Sequence, residues 1–250
     1  PALMAMSVAV SRVIKQSGGN IFKKTKFLAG HSLGEYSALV INESLTLNDA
    51  AKLLDIRGKA MQESVPQGQG AMAALIGSDI DQANKIVSLC KENDVCQIAN
   101  DNAPGQVVIS GNKSAIDRAA HISKEIGIRK CIVLPVSAPF HCSLMNPAAD
   151  RMSKALEEIS FQEFKLPIIS NVTAEPEYNP EKIKDLLVKQ VTNMVRWRES
   201  INFMIENEVS SFIELGSGKV LSGIVKRINK DCSATSVQEP EDLENLFNLN

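Results

Sequence analysis

A serine between two glycines is the first feature of this chain that could do chemistry. Residues 27–36 read FLAGHSLGEY, so an apolar stretch runs into Gly-x-Ser-x-Gly and then into a helix-forming sequence. This order is typical of a nucleophile elbow, where a tight strand-to-helix turn holds a serine hydroxyl in the open. We therefore expect Ser32 to be a nucleophile, with a short strand over 26–29 before it and a helix from Leu33 after it.

Two local details belong to this interpretation. Side chains at Gly30 and Gly34 would clash in so tight a turn, which would explain both glycines. The helix after the serine would point its N-terminus at the site, so the Leu33 amide is the natural donor to an oxyanion. The competing interpretation is an ordinary turn serine, because Gly-x-Ser-x-Gly often occurs by chance.

A serine hydroxyl needs a base to become a good nucleophile, and the chain has only three histidines. His31 neighbours Ser32 in sequence, so its side chain should point away, and His121 lies among polar residues of a predicted helix. His141 lies in a proline-containing loop after a predicted strand, a common place for catalytic groups. We therefore predict His141 as the base. Cys142 beside it is a weaker candidate nucleophile, because nothing presents its thiol on a turn.

Composition excludes several classes of function. The chain has 250 residues, 44% of them apolar, and a net charge of −2, so no basic field favours nucleic acid. No apolar run is long enough to span a membrane. Five cysteines without a Cys-x-x-Cys argue against a disulfide framework or a zinc site and indicate reduced thiols in a cytoplasm. We expect no metal and no cofactor.

The middle of the chain differs in pattern from its two ends. Between about 66 and 136 the predicted order is βαββαβ, which is typical of a ferredoxin-like lobe. Its predicted strands are 70–76, 95–100, 106–110 and 130–136, and its helices are 79–92 and 113–126. On either side strands and helices alternate, which favours a mainly parallel sheet covered by helices. The further predicted strands there are 167–171, 211–215 and 234–237, and the predicted helices are 1–17, one from about 46, 147–158, 181–190, 198–207, 219–229 and 241–248.

A phosphate-binding loop is suggested by Gly216-Ser217-Gly218-Lys219. The full motif requires a glycine where Ile213 stands and a serine or threonine where Val220 stands. The interpretation as a phosphate loop therefore fails.

Six stretches together resemble one family, the bacterial malonyl-CoA:acyl-carrier-protein transacylases. They are GHSLGEYSALV at 30–40, IRGKAMQE at 56–63, VPQGQGAMAALIG at 65–77, NAPGQVVISG at 102–111, LPVSAPFHCSLMNPAAD at 134–150 and GSGKVLSGIVKRI at 216–228. The resemblance implies an α/β fold, with an α/β-hydrolase-like large lobe at 1–65 and 137–250. A ferredoxin-like small lobe at 66–136 would be inserted into it, with the active site in the cleft between the lobes.

The resemblance also assigns roles by matching motif. Ser32 would be the acylated nucleophile and His141 the base, oriented by the main-chain carbonyl of Gln190, so that no triad aspartate is needed. Arg57 would bind the malonyl carboxylate. A guanidinium can grip a carboxylate through two parallel charge-assisted hydrogen bonds, which an acetyl group cannot accept. The alternative for Arg57, from its residues alone, is a solvated helix arginine beside a glycine.

The implied activity is a transfer of malonyl groups in fatty acid biosynthesis. The family moves malonyl from malonyl-CoA to the phosphopantetheine thiol of acyl carrier protein through a malonyl-serine intermediate. We expect a cytoplasmic monomer, with Lys124, Arg129 and Lys130 as candidate contacts for the acidic carrier protein.

Two other functions remain open at this point. One is a serine hydrolase using the same elbow, although a fixed cation such as Arg57 is not a feature most esterases need. The other is a non-catalytic remnant. The resemblance implies that family members begin upstream of Pro1 with a strand and a Gln-bearing loop that supplies a second oxyanion donor, so we expect this chain to be a weaker and less stable transferase than longer relatives.

Overall fold

The computed structural model describes residues 1–17 and 21–248. The strands are β1 Leu28–Ala29, β2 Gly70–Ile76, β3 Cys96–Ala103, β4 Gln106–Asn112, β5 Lys130–Val133, β6 Ile168–Ile169, β7 Pro176–Glu177, β8 Ser211–Leu215 and β9 Ser233–Val237. The helices are α1 Ala2–Gln16, α2 Ile21–Lys24, α3 Gly34–Ile41, α4 Leu47–Glu63, α5 Ile80–Cys90, α6 Lys113–Glu125, α7 Asn146–Glu157, α8 Pro180–Gln190, α9 Trp197–Glu206, α10 Val220–Ile228 and α11 Pro240–Asn248. Of the helices in this described part, none has both the length and the apolar character to cross a membrane.

The small lobe has the predicted βαββαβ order. Its four strands form an antiparallel sheet in the order β3-β4-β2-β5. Alternate residues of β2 and β4, such as Leu75 and Ile109, are buried against Ile86 of α5 and Ile116 of α6. Because alternate strand residues point to the same side, one face of this sheet and the apolar faces of the two helices form a single core.

Local sequence signals set the ends of the small-lobe elements. Asp79 accepts a hydrogen bond from the Gln82 amide at 2.7 Å, and the Gln82 side chain accepts from the Asp79 amide at 3.1 Å. This reciprocal capping box begins α5. Gly105 has φ +74° in the turn between β3 and β4, a conformation that glycine adopts without steric cost.

The large lobe contains two parallel strand pairs, but they lie in two separate sheets, β1-β6-β7 and β8-β9, and not in the single mainly parallel sheet that the alternation predicts. In one pair Leu28 of β1 lies opposite Ile168 of β6, and in the other Phe212 of β8 lies opposite Ala234 of β9. Strand β7 joins β6 in antiparallel orientation, which the pattern did not predict because two residues carry no alternation. A core formed by α1, α3, α4, α7 and α8 includes the fully buried Tyr36 and Leu39.

The two lobes are joined next to the site. An isolated parallel bridge pairs Asn100 of β3 with Val195, and the Asp101 amide donates to the Val195 carbonyl at 3.0 Å. Arg198 also holds the buried Asp101 carboxylate, with its closest contact at 2.7 Å. These contacts fix the end of β3, so that Asn102 reaches the turn that carries the candidate nucleophile.

Candidate active site

Ser32 occupies a strained turn between β1 and α3. Its backbone has φ +52°, a left-handed conformation that residues other than glycine rarely adopt. A Cβ atom at Gly30 would lie 1.9 Å from the carbonyl oxygen of Gly34, so the first glycine is required. A Cβ at Gly34 would meet nothing within 4 Å. The expected clash is therefore present at Gly30, but the prediction for Gly34 was wrong because that position opens away from the turn.

Asn171 holds this turn from the neighbouring strand. Its side-chain oxygen accepts a hydrogen bond from the Ser32 amide at 2.7 Å, and its side-chain nitrogen donates to the Gly30 carbonyl at 2.8 Å. Sequence reasoning missed this residue, although it ends the predicted strand 167–171. Parallel strands end at the same edge of a sheet, so a polar residue after β6 was a signal that could have placed it beside Ser32.

His141 lies within hydrogen-bonding distance of the serine hydroxyl. The distance between Ser32 Oγ and His141 Nε2 is 2.8 Å, and the distance between His141 Nδ1 and the Gln190 carbonyl oxygen is also 2.8 Å. A carbonyl can only accept, so Nδ1 carries the proton and Nε2 is left to accept the proton of Ser32. His141 itself has φ +59°, so both partners of this contact have left-handed backbone conformations.

The environment of His141 keeps its imidazole neutral. Burial is the largest cause that lowers its pKa from the usual 6.5 to about 3, and the positive charge of Arg57 acts in the same direction. The hydrogen bond to the Gln190 carbonyl opposes this shift. Near neutral pH the ring therefore stays neutral, and its Nε2 is able to accept a proton.

Arg57 presents a buried cation to the same hydroxyl. Its Nη2 donates to Ser32 Oγ at 2.9 Å and to the Gln190 side-chain oxygen at 3.0 Å. Only 7% of Arg57 is exposed, and among the described residues no carboxylate lies within 4 Å of its guanidinium. A buried guanidinium ordinarily has an anionic partner, so this one is free to accept an anion beside the nucleophile.

Gln190 contributes its side chain to the site as well as its main-chain carbonyl. Its Nε2 donates to the Ser32 carbonyl at 3.0 Å and to Glu35 Oε2 at 2.6 Å. Gln190 and Glu35 are fully buried. Sequence reasoning assigned only the main-chain carbonyl of Gln190 and gave no role to Glu35, because a buried glutamate in a helix has no distinguishing sequence pattern.

The Leu33 amide lies at the N-terminal end of α3, immediately after Ser32. It donates to no acceptor in the described part of the chain, whereas the next amides, those of Gly34 and Glu35, donate to the carbonyls of His31 and Ser32. A free amide at a helix N-terminus next to the nucleophile is suited to binding a developing negative charge.

The other candidates have different surroundings. His31 Nε2 contacts the Asn102 side-chain oxygen at 2.8 Å, and its ring lies edge-on to that of Trp197. His121 is exposed. The Cys142 thiol is buried and donates to the Pro139 carbonyl at 3.1 Å.

The glycine loop before α10 does not hold a phosphate site. Glu214 of β8 accepts hydrogen bonds from the amides of Leu221 at 3.0 Å and Ser222 at 2.7 Å. The helix N-terminus is therefore already occupied by a carboxylate of the chain itself. Within residues 1–17 and 21–248, no group of three His, Cys, Asp or Glu side chains is placed to hold a metal ion.

Comparison with known proteins agrees with this geometry. Residues 1–240 match the family model of the acyl transferase domain. The chain is 45% identical to the malonyl CoA-acyl carrier protein transacylase of Escherichia coli O157:H7, over 100% of the chain and 80% of that protein. It is 42% identical to the Bacillus subtilis protein of the same name, over 98% of the chain and 76% of that protein.

Solved structures give the same result. The acyl-carrier-protein S-malonyltransferase of Bartonella henselae superposes with a TM-score of 0.96 at 49% identity, covering 100% of this chain and 79% of that one. A malonyl-transacylase in complex with a type II PKS acyl-carrier protein gives a TM-score of 0.96 at 41% identity, covering 100% and 80%. The chain therefore belongs to the acyl transferase family, among the malonyl CoA-acyl carrier protein transacylases. The family and the α/β fold class predicted from the motifs are confirmed.

Proposed function

We propose that this chain moves a malonyl group from coenzyme A to the phosphopantetheine thiol of acyl carrier protein, in fatty acid biosynthesis, through a malonyl ester on Ser32. The observation that carries the proposal is the double contact of one hydroxyl. Ser32 Oγ lies 2.8 Å from a nitrogen of a neutral imidazole and 2.9 Å from a guanidinium that has no carboxylate partner among the described residues. The first contact suits a nucleophile, and the second suits a substrate with a carboxylate near its reacting carbonyl.

Acylation begins with the transfer of the Ser32 proton to His141 Nε2. The serine oxygen attacks the malonyl thioester carbonyl and forms a tetrahedral intermediate. As the C–S bond breaks, the imidazolium returns the proton to the coenzyme A sulfur. The Gln190 carbonyl accepts the Nδ1 hydrogen bond throughout and stabilises the positive ring that forms between these steps.

Deacylation uses the same groups in reverse. The phosphopantetheine thiol gives its proton to His141 Nε2 and attacks the malonyl ester on Ser32. The ester C–O bond breaks, and Ser32 recovers the proton from the imidazolium. In both halves the free Leu33 amide donates to the oxyanion of the tetrahedral intermediate.

Arg57 would select the acyl group. In the malonyl enzyme the guanidinium exchanges its bond to the Ser32 hydroxyl for two bonds to the malonyl carboxylate. An acetyl group leaves the buried cation without an anionic partner, which is unfavourable. Malonyl-CoA is therefore the preferred donor.

The carrier protein would approach from the side of the small lobe, for which we retain the bounds 66–136. Lys124, Arg129 and Lys130 are exposed and form no ion pair with other described residues. Unpaired surface cations favour an acidic partner and increase its association rate. We propose that the chain acts as a monomer in the cytoplasm, with a large lobe of 1–65 and 137–250.

The test is mass spectrometry of the intact protein after exposure to malonyl-CoA. The expected result is one malonyl adduct on Ser32 that moves to the carrier protein when its phosphopantetheine form is added. An adduct lost equally fast without carrier protein would indicate a hydrolase. Absence of an adduct would indicate a non-catalytic remnant.

A further inference from the structure

Glu35 is a buried carboxyl beside the nucleophile that no step of the proposed reaction uses. It lies in the first turn of α3, three residues after Ser32, and is fully buried. Its Oε2 accepts from Gln190 Nε2 at 2.6 Å, and within the described residues its Oε1 has no hydrogen-bond partner. A carboxyl at this depth ordinarily pairs with a cation, yet no nitrogen of Arg57 lies within 4 Å of it.

The Gln190 side-chain amide stands between these two groups. Its nitrogen faces Glu35, while its oxygen accepts from Arg57 Nη2 at 3.0 Å. An amide is a donor at one end and an acceptor at the other. The reverse orientation would place its NH₂ group against the guanidinium and its oxygen against the carboxyl, so the two neighbours together permit one orientation only.

We propose that Glu35 is a positioning residue, which fixes the Gln190 amide so that its oxygen aims the Arg57 guanidinium at the acyl group on Ser32. The inference rests on the proposed function and adds a determinant of malonyl specificity. The amide also keeps the two charged groups apart. A direct Glu35–Arg57 ion pair would give the guanidinium an internal carboxylate and remove its need for that of the substrate.

This arrangement holds whether or not Glu35 is ionised. Burial is the largest cause that raises the pKa of Glu35 to about 7, while hydrogen bonds from the Gln190 side chain and the Asn171 backbone and the charge of Arg57 oppose the shift. A neutral carboxyl keeps a carbonyl oxygen, which can accept from Gln190 Nε2 as a carboxylate does. In both states the carboxyl offers the amide nitrogen an acceptor, and the guanidinium, which can only donate, excludes the reverse orientation at the other end.

The test is a double-mutant cycle of Glu35→Leu and Gln190→Met. Gln190→Met removes the amide but keeps the main-chain carbonyl that contacts His141 Nδ1. We expect each single variant to lower the kcat/KM preference for malonyl-CoA over acetyl-CoA by about tenfold, mainly through KM for malonyl-CoA, the effect of one lost polar contact to a charged group. The double variant should lose no more than Gln190→Met alone, because Glu35 acts through that amide. Glu35→Gln keeps an acceptor oxygen and should restore most of the preference.

Asn42→Leu is a matched control. Asn42 lies at the other end of α3, is also buried, and bonds to the amide and the carbonyl of Leu166 at 2.9 and 3.0 Å. This variant should lower the melting temperature and leave the malonyl preference unchanged.

The proposal is overturned if Glu35→Leu keeps the wild-type preference or if the losses add in the double variant. If Glu35→Leu does not fold, Gln190→Met is the deciding variant. An unchanged malonyl-CoA preference in Gln190→Met would show that the Gln190 side-chain amide does not position Arg57, and the proposal would be wrong. A wild-type chain with no preference for malonyl-CoA overturns the proposed function as well, which distinguishes the two failures.

Discussion

The turn that carries Ser32 and the sheet of the small lobe are built in different ways. In the small lobe, alternating apolar residues meet two amphipathic helices, and every described buried side-chain polar atom between Gly70 and Val133 has a partner. Around Ser32, two contacting residues have left-handed backbones, whereas the left-handed Glu92 of the small lobe is an exposed turn residue. Three buried polar atoms there lack partners within the described residues, and they belong to Glu35, Tyr36 and Arg57.

This difference indicates that the residues around Ser32 are less favourable for folding than those of the small lobe. Left-handed backbone conformations and unpaired buried polar groups each reduce the free energy of unfolding, and they persist where function requires them. We therefore expect substitutions near Ser32 to reduce activity more than stability. Substitutions at the ends of small-lobe elements should do the reverse.

The largest effect is expected for Ser32→Ala. Removal of the hydroxyl leaves no atom to form the ester, so malonyl transfer should fall by more than about 10⁴-fold. The melting temperature should change little, because the Ser32 backbone contacts to Asn171 and Gln190 remain. Transfer near the wild-type rate would remove Ser32 from the mechanism.

His141→Ala should follow, with a loss of about 10²- to 10⁴-fold in the rate of Ser32 acylation, the usual contribution of a general base. Single-turnover kinetics with malonyl-CoA measures this rate. His31→Ala is the matched control, since His31 is next to Ser32 in sequence but contacts Asn102. An equal loss of acylation rate in both variants would contradict the assignment of His141, and not His31, as the general base.

Arg57→Ala should change which substrate is used. The ratio of malonyl to acetyl transfer should fall by about 10²-fold, the lower end for two charge-assisted hydrogen bonds. The ratio for Arg57→Lys should lie between those of the wild type and Arg57→Ala, because lysine keeps the positive charge but lacks the planar guanidinium that binds a carboxylate through two hydrogen bonds. Equal losses with both donors would leave Arg57 with a structural role only.

The lowered pKa of His141 predicts a pH dependence of stability. Its pKa is about 3 in the folded state and 6.5 for the unperturbed group, so between these values the unfolded chain binds more protons. This contribution therefore destabilises the wild type as the pH falls from 6.5 towards 3. His141→Asn, which tolerates the left-handed backbone, lacks this contribution and should lose less stability over that range. Urea unfolding at pH 7 and pH 5 measures the difference, and parallel curves for both proteins would contradict it.

The smallest effect is expected in the small lobe. Asp79→Ala removes the cap of α5 and should cost about 1 kcal/mol of stability. Malonyl transfer at 25 °C should remain at the wild-type rate, because the capping box is confined to residues 79–82 of that lobe. A large loss of transfer without unfolding would break the contrast between the two regions.

Much of the fold could be predicted from the sequence because its signals are local. The predicted strands 70–76 and 211–215 have the same bounds as β2 and β8 in the structure. The glycine-flanked serine was recognisable because a tight turn depends on residues within a few positions of it. The three shortest strands were predicted too long or were missed, since two residues carry no periodicity.

The sequence by itself determined the order of most elements and the glycine-flanked turn at Ser32, and it predicted His141 as the base from three histidines. Only the tertiary structure decided which polar groups meet. Ser32 and His141 are 109 residues apart, and Gln190 and Glu35 are 155 apart. Their contacts depend on how α3, α4 and α8 pack and on where β6 ends beside β1. Such distant contacts leave no periodic or local pattern, so the contact of Glu35 with Gln190 became visible only once the chain was folded.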